Sequence, residues 1–141
     1  MANMESKPLN WIPDKDIGYT VQRRPDGGMH FTFRDDNPST LKHWRKFALE
    51  HLLDSDRLTR NLYDLRLLKS LSDEAVRYAI EVNTDPSVRN IRLAVVVSND
   101  AVKQAIEKIL LLTLPGGVDM ALFEAIEAAE AWLDRPLTLT V

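Results

Sequence analysis

Leu62-Tyr63-Asp64-Leu65-Arg66, running on to Ser72-Asp73-Glu74, and Leu93-Ala94-Val95-Val96-Val97, running on to Ser98-Asn99-Asp100, decide the fold. Each is a short apolar run of β type followed by polar residues able to cap a helix, the pattern of a parallel sheet covered by helices. The second run is apolar on nearly every residue, which suits a central strand buried on both faces. The spacing predicts strands over about Thr59–Leu65 and Ile91–Val97, with Tyr63 and Val95 side by side in one parallel layer.

Outward from this pair the chain alternates elements. Ile17, Tyr19 and Val21 alternate with polar neighbours up to the turn Pro25-Asp26-Gly27-Gly28, after which Met29, Phe31 and Phe33 alternate again, predicting a β-hairpin with one wet face. Asn37-Pro38-Ser39-Thr40 opens a helix, because Leu41, Trp44, Phe47, Ala48 and Leu52 recur at helical spacing, and it ends near Leu53. Further helices are expected over about Asp73–Val82, ended by Asn83-Thr84-Asp85-Pro86, and over about Asp100–Thr113, stopped by Pro115-Gly116-Gly117. Val118–Phe123 gives a short strand and Glu124–Leu133 a last helix carrying Ile126, Ala129, Trp132 and Leu133. Leu137–Val141 alternates like a strand. The expectation is one α/β domain with a mixed sheet of about five strands and about four helices, joined by right-handed crossovers.

Length and charge bound the rest. A chain of 141 residues suits a single domain. Residues 17–133 are expected to form it, with an irregular arm over 1–16 and a tail over 134–141. A formal net charge of −3 with both signs interspersed offers no strong field to nucleic acid or anionic lipid. The absence of cysteine excludes disulfides and thiolate zinc sites. Met1–Pro8 lacks the basic and apolar segments of a secretion signal, and no apolar stretch approaches membrane-spanning length, so a cytoplasmic location without membrane insertion is expected.

Asn61-Leu62-Tyr63-Asp64-Leu65-Arg66 at the third strand, Arg92-Leu93-Ala94-Val95-Val96-Val97-Ser98 at the fourth, and the ending from Met120-Ala121-Leu122-Phe123 through an acidic, alanine-rich helix to Trp132-Leu133 carry a resemblance. In this order they resemble the STAS fold of anti-sigma-factor antagonists, and more closely the small bacterial SpoIIAA-like proteins. The resemblance covers roughly Ile17–Leu133, counted in elements. It implies a regulatory module with a phosphorylatable serine at the start of the helix after the third strand, usually in an Asp-Ser-Ser-Gly setting, and a kinase-like anti-sigma factor as partner. Here that stretch reads Lys69-Ser70-Leu71-Ser72-Asp73-Glu74-Ala75, and simple register puts the phosphoserine position on Asp73. A carboxylate there could act as a permanent charge, or Ser72 could simply cap the helix with Asp73 and Glu74 favouring its dipole. The cap is the preferred reading, and Ser70, Ser72 and Asp73 are retained as a regulatory helix start.

Asp64 and Arg66 fall at the carboxyl end of the third strand, where open α/β sheets tend to bind ligands. They could hold a polar group, or Asp64 could order loop amides with Arg66 paired at the surface; the second is preferred. His43 and His51 lie eight residues apart on one helix, about two turns, and His30 belongs to a strand, so no metal site is expected. No Gly-x-Ser-x-Gly elbow or Lys-Ser/Thr phosphate loop occurs, and no enzyme activity or cofactor is expected. Ile109-Leu110-Leu111-Leu112-Thr113-Leu114 is apolar on more faces than one sheet contact can bury. Trp11 and Ile12 of the arm, with Leu111, Leu112 and Leu114, are therefore interface candidates, either covering one another or building the homodimer that is preferred.

The leading functional expectation is a non-enzymatic regulatory or protein-interaction module working through a helix face and adjoining loops. The alternative is a carrier of a small apolar ligand or lipid, since the architecture also resembles CRAL-TRIO domains; an enzyme of unknown reaction is third. A carrier needs a cavity, and Trp44, Phe47, Ile80, Ile106 and Trp132 are expected to leave little room for one.

Overall fold

A computed structural model describes residues 11–12, 14–52, 58–88, 90–112 and 118–136. Strand β1 (Tyr19–Arg23) turns back into β2 (Met29–Phe33), followed by α1 (Pro38–Leu52), β3 (Thr59–Asp64), α2 (Asp73–Thr84), β4 (Ile91–Val96), α3 (Asp100–Leu112), β5 (Val118–Phe123) and α4 (Ile126–Leu133). The strands lie in one sheet in the order β1-β2-β3-β4-β5. The hairpin is antiparallel and every other pairing is parallel. Tyr63 stands opposite Val95, as the two apolar runs predict.

The register sorts side chains onto two faces. Phe31, Tyr63, Leu65, Leu93, Val95 and Val97 join α1, α2 and α3 in the larger core, while Leu62, Ala94 and Val96 pack with Ala129 and Leu133 of α4 on the opposite face. All six residues of β4 are buried, so this strand is enclosed from both sides. The first core is rich in aromatic rings: Phe31 stacks on Tyr63 at 4.3 Å between centroids, and Tyr19 on Phe33 at 4.9 Å. Trp44 Nε1 donates to the buried Tyr63 hydroxyl at 2.9 Å, and burial pushes the Tyr63 phenol well above its usual range.

The hairpin is held close to the sheet. Gly27 has a positive φ of 89°, and a Cβ at Gly28 would fall 1.6 Å from the Arg60 carbonyl oxygen, so this turn approaches β3 as only glycine allows. One step further, the Met29 amide donates to Asn61 Oδ1 at 2.9 Å.

The starts of α2 and α3 follow the capping chemistry, and that of α4 does not. Ser72 Oγ accepts from the Ala75 amide at 3.1 Å, and Asn99 Oδ1 accepts from the Val102 amide at 2.9 Å. The last helix begins at Ile126, two residues later than the periodicity of 124–133 suggests. Ala125 supplies no side-chain cap, its backbone is extended at φ −132°, and Glu124 turns away to Lys103 at 3.7 Å. Past α4, Arg92 donates to the carbonyls of Leu133 at 3.2 Å and Arg135 at 2.6 Å, placing a cation at the negative end of the helix. Burial, and then Arg135 and Arg60 nearby, lower the Arg92 pKa. The expected strand over 137–141 lies outside the described residues.

Tyr63→Phe would keep the ring packing but leave the Trp44 indole N–H without its buried acceptor. The expected loss is about 1–3 kcal/mol of unfolding free energy, read by urea titration; a change below about 0.5 kcal/mol would mean that the bond contributes little.

Candidate functional site

The carboxyl ends of β2, β3 and β4 meet the starts of α1, α2 and α3 in a rim of short connections, and this rim holds the regulatory candidates. Asp64, buried at the end of β3, accepts the Arg66 amide at 3.1 Å and takes the Arg66 guanidinium on both carboxylate oxygens at 2.9 Å each. Burial raises its pKa, but the Arg66 hydrogen bonds outweigh this and hold the carboxyl below the usual range. The pair thus closes on itself, the carboxylate engaged by the Arg66 amide and by its own counterion. Among the described residues the strands follow one another in sequence order, so the sheet has no point where the order reverses to make a switch-point crevice beside Asp64.

Neighbouring groups pin the same connection. Ser98 Oγ donates to the Arg66 carbonyl at 2.9 Å and Asn99 Nδ2 to the Leu68 carbonyl at 2.9 Å. Between these two anchors Leu67 projects with 62 % of its surface exposed, while Leu68 is buried. Further along, the Ser72 amide donates to Asp36 Oδ2 at 2.7 Å, tying the start of α2 to the connection after β2. Ser70, Ser72 and Asp73 are all exposed at this helix start. Ser72 is engaged as the cap, and Asp36, Asp73 and Glu74 surround it with carboxylates.

The interface candidates separate. Trp11 docks on its own chain, 4.6 Å from Tyr19 and edge-on to His43 and Phe47, whereas Ile12 is 80 % exposed. At the end of α3, Leu111 is 79 % and Leu112 50 % exposed; Leu114 lies outside the described residues. The histidines are also apart. His43 Nδ1 bonds the Tyr19 hydroxyl at 2.7 Å, His51 Nδ1 bonds the Phe47 carbonyl at 2.8 Å, and His30 stands on the α4 face of the sheet in register with Leu62. Burial lowers the His30 pKa; the charges of Asp64 and Glu130 oppose this, and those of Arg24 and Arg66 add to it.

Three features escaped the sequence reading. The exposure of Leu67 was hidden in the run Leu65-Arg66-Leu67-Leu68, where the end of a strand breaks the alternation. The facing of His30 required the register. The third is Asn61, fully buried on the inner face of β3 with its Nδ2 lacking any acceptor among the described residues. It lines a cavity of about 70 Å³ between the sheet and the three helices, so the core is less completely filled than the large side chains suggest. Trp132, one of those side chains, lies on the opposite face against Phe123 at 5.6 Å and does not fill this space. The volume is about half of the roughly 150 Å³ that admits benzene, too small for a lipid chain.

Comparison with known proteins fits this geometry. A similar solved structure is that of an uncharacterized protein of the DUF3478 family with a SpoIIAA-like fold from Shewanella loihica PV-4, with a TM-score of 0.60 and 15 % identity, covering 87 % of this chain and 99 % of that one. The chain has a SpoIIAA-like fold. No protein-family model matches its sequence, and no curated protein does. The SpoIIAA-like fold agrees with the resemblance carried by the third and fourth strands and the Trp132-Leu133 ending.

Two pH responses follow. Asp64→Asn should lower stability at neutral pH by about 1 kcal/mol, since Arg66 is partly solvent-screened. A depressed carboxylate stabilises the fold above the unfolded pKa of about 3.9. That contribution disappears as the pH falls through the folded value, so the gap between wild type and variant should close in acid; a gap that persists there would assign the effect to packing. His30 has the opposite charge type: being held neutral, it costs stability as the pH falls below about 6.5, where the unfolded chain binds the proton first. His30→Gln should therefore flatten the decline of the urea midpoint between pH 7 and 5, and parallel profiles would remove His30 from the pH response.

Proposed function

We propose that the protein is a non-enzymatic regulatory or protein-interaction module of the cytoplasm, resembling STAS-domain proteins but lacking their phosphoserine switch, and that it docks through the β3–α2 connection and the start of α2. One observation carries this reading: Leu67 is a large apolar side chain held out to solvent on a connection whose carbonyls on either side are both anchored by the next loop. An apolar group presented on rigid backbone loses little conformational freedom when a partner covers it. Asp36, Asp73 and Glu74 around Ser72, five residues further along at the start of α2, favour a partner surface with basic groups.

Self-association is the second part of the proposal. Ile12, Leu111 and Leu112 leave apolar surface unburied at the arm and at the end of α3, and a homodimer would cover part of it. The domain is taken to span 17–133, with the arm and the tail as accessory segments. Among the described residues no helix is long and apolar enough to cross a membrane, and no insertion is proposed. The carrier reading for lipids loses support from the size of the cavity, and no catalytic role is proposed for Asp64, whose carboxylate is already engaged by Arg66.

A photo-crosslinking residue placed at position 67 in the host cell should give a discrete adduct that one at Lys42, on the exposed face of α1, does not. Leu67→Asp, introduced with the crosslinker moved to Ser70, should abolish the adduct with little change in melting temperature. No adduct from position 67, or the same adduct from Lys42, would remove this connection as the docking site. Intact mass of the protein purified from that host should show no added phosphate; a phosphate on Ser70 or Ser72 would restore the switch that the sequence departs from.

A further inference from the structure

The cavity beneath α2 has a polar group that the fold does not use. Asn61 is 0 % exposed and its Oδ1 accepts the Met29 amide at 2.9 Å. That bond fixes the orientation of the side chain, because turning the amide over would set its NH₂ against the Met29 N–H. Nδ2 is thereby left as the free donor on the inner face of β3, which is the face that lines the cavity. A second amide enters from α2: among the described residues Asn83 Nδ2 is paired with Met120 Sδ, at 3.8 Å, a weak acceptor. Around these two the walls are the apolar parts of Trp44, Ala79, Leu93, Val95, Ile106 and Ile109.

A buried donor without an acceptor destabilises the fold and is uncommon in native proteins. Burial beside an apolar space leaves two ways to satisfy it, a water or a ligand oxygen. Water needs two to four polar partners, and beyond the two asparagine amides and Asp36 at the entrance most of this lining is apolar. A carbonyl compound needs one donor for its oxygen and apolar surroundings for its carbon, which is the composition of the lining. Asp36 is the charged residue of the lining and is an acid, so an anionic carboxylate would be repelled. Asp36 and Leu71, the half-buried members of the lining at the carboxyl ends of the strands, mark the way in beside the start of α2.

We propose that this cavity is a binding site for a small neutral carbonyl compound of about four non-hydrogen atoms, whose oxygen accepts the Asn61 Nδ2 hydrogen and whose carbon packs under α2. The site lies in the core and stands independently of docking at Leu67.

The probe is acetone, with cyclopropane as a molecule of similar size lacking the acceptor. In amide and methyl correlation spectra of the full chain, acetone should shift the Asn61 side-chain NH₂ resonances saturably, with a dissociation constant on the order of millimolar for so few atoms. Its methyl protons should show nuclear Overhauser contacts to Leu93 and Ile106. Cyclopropane should bind at least about tenfold more weakly, the factor expected for one lost hydrogen bond. Ala79→Leu, which fills the cavity from a half-buried position with a strong helix former, should abolish the acetone response. A non-saturating shift, an equal response in Ala79→Leu, or a bound water on Asn61 that acetone does not displace would each overturn the proposal. If Ala79→Leu does not fold, the intermolecular contacts in the wild-type chain decide the matter alone.

Discussion

Strand β4 must be enclosed from both sides, and most of the architecture follows from that. Its backbone groups pair with β3 and β5, and its side chains alternate between the two faces, all of them buried. Right-handed crossovers through a sheet whose strands follow sequence order bring α1, α2 and α3 to one face. The opposite face is then left to α4, the remaining helix of the described chain, and Ala129 and Leu133 close over Ala94 and Val96. Arg92, the charged residue of β4, points to this second face. Its guanidinium leaves the sheet to meet the carbonyls at the end of α4 and lies 5.7 Å from the Trp132 ring, so it fixes the helix it is buried beneath.

The strands and most helix limits were legible because they rest on local chemistry: apolar runs of period two, stripes near period 3.6, and caps at Ser72 and Asn99. The pairing of Tyr63 with Val95 was legible for the same reason, since two runs of that composition can satisfy their backbones and bury both faces only in adjacent central positions. What could not be read depends on groups far apart in the chain. Asn61 is an ordinary polar residue in sequence, and the partner of its buried oxygen, the Met29 amide, comes from the neighbouring strand β2, 32 residues away in the chain. Trp132 has the periodicity of a core residue on either face; only the side taken by α4 decides which core it joins. The stretch from Lys69 to Ala75 was legible as a departure from a resembled pattern, and its acidic setting rests on Asp36, a residue far away in the chain that lies beside Ser72.

The same polar inventory is used differently at the rim and beneath it. At the rim Asp64, Arg66, Ser98, Asn99, Asp36 and Ser72 each have a partner, and the connections are tied to one another. Beneath α2, one layer down, the two asparagines are poorly matched among apolar walls. A small molecule held beneath α2 would sit inside the core, where helix packing is incomplete.

Electrostatics at the start of α2 explains why a serine switch would work poorly here. A helix N-terminus favours negative charge, but the benefit is limited to its first turn and to the amides not already engaged. Asp73 and Glu74 occupy that first turn, Ser72 Oγ takes the Ala75 amide, and Asp36 takes the Ser72 amide. A phosphate on Ser72 would lose the capping geometry and meet three carboxylates. Arg77, the basic residue on the next turn, is already 3.5 Å from Glu74. Acidic character of the kind that phosphorylation would add is already present at this helix start, from Asp36, Asp73 and Glu74.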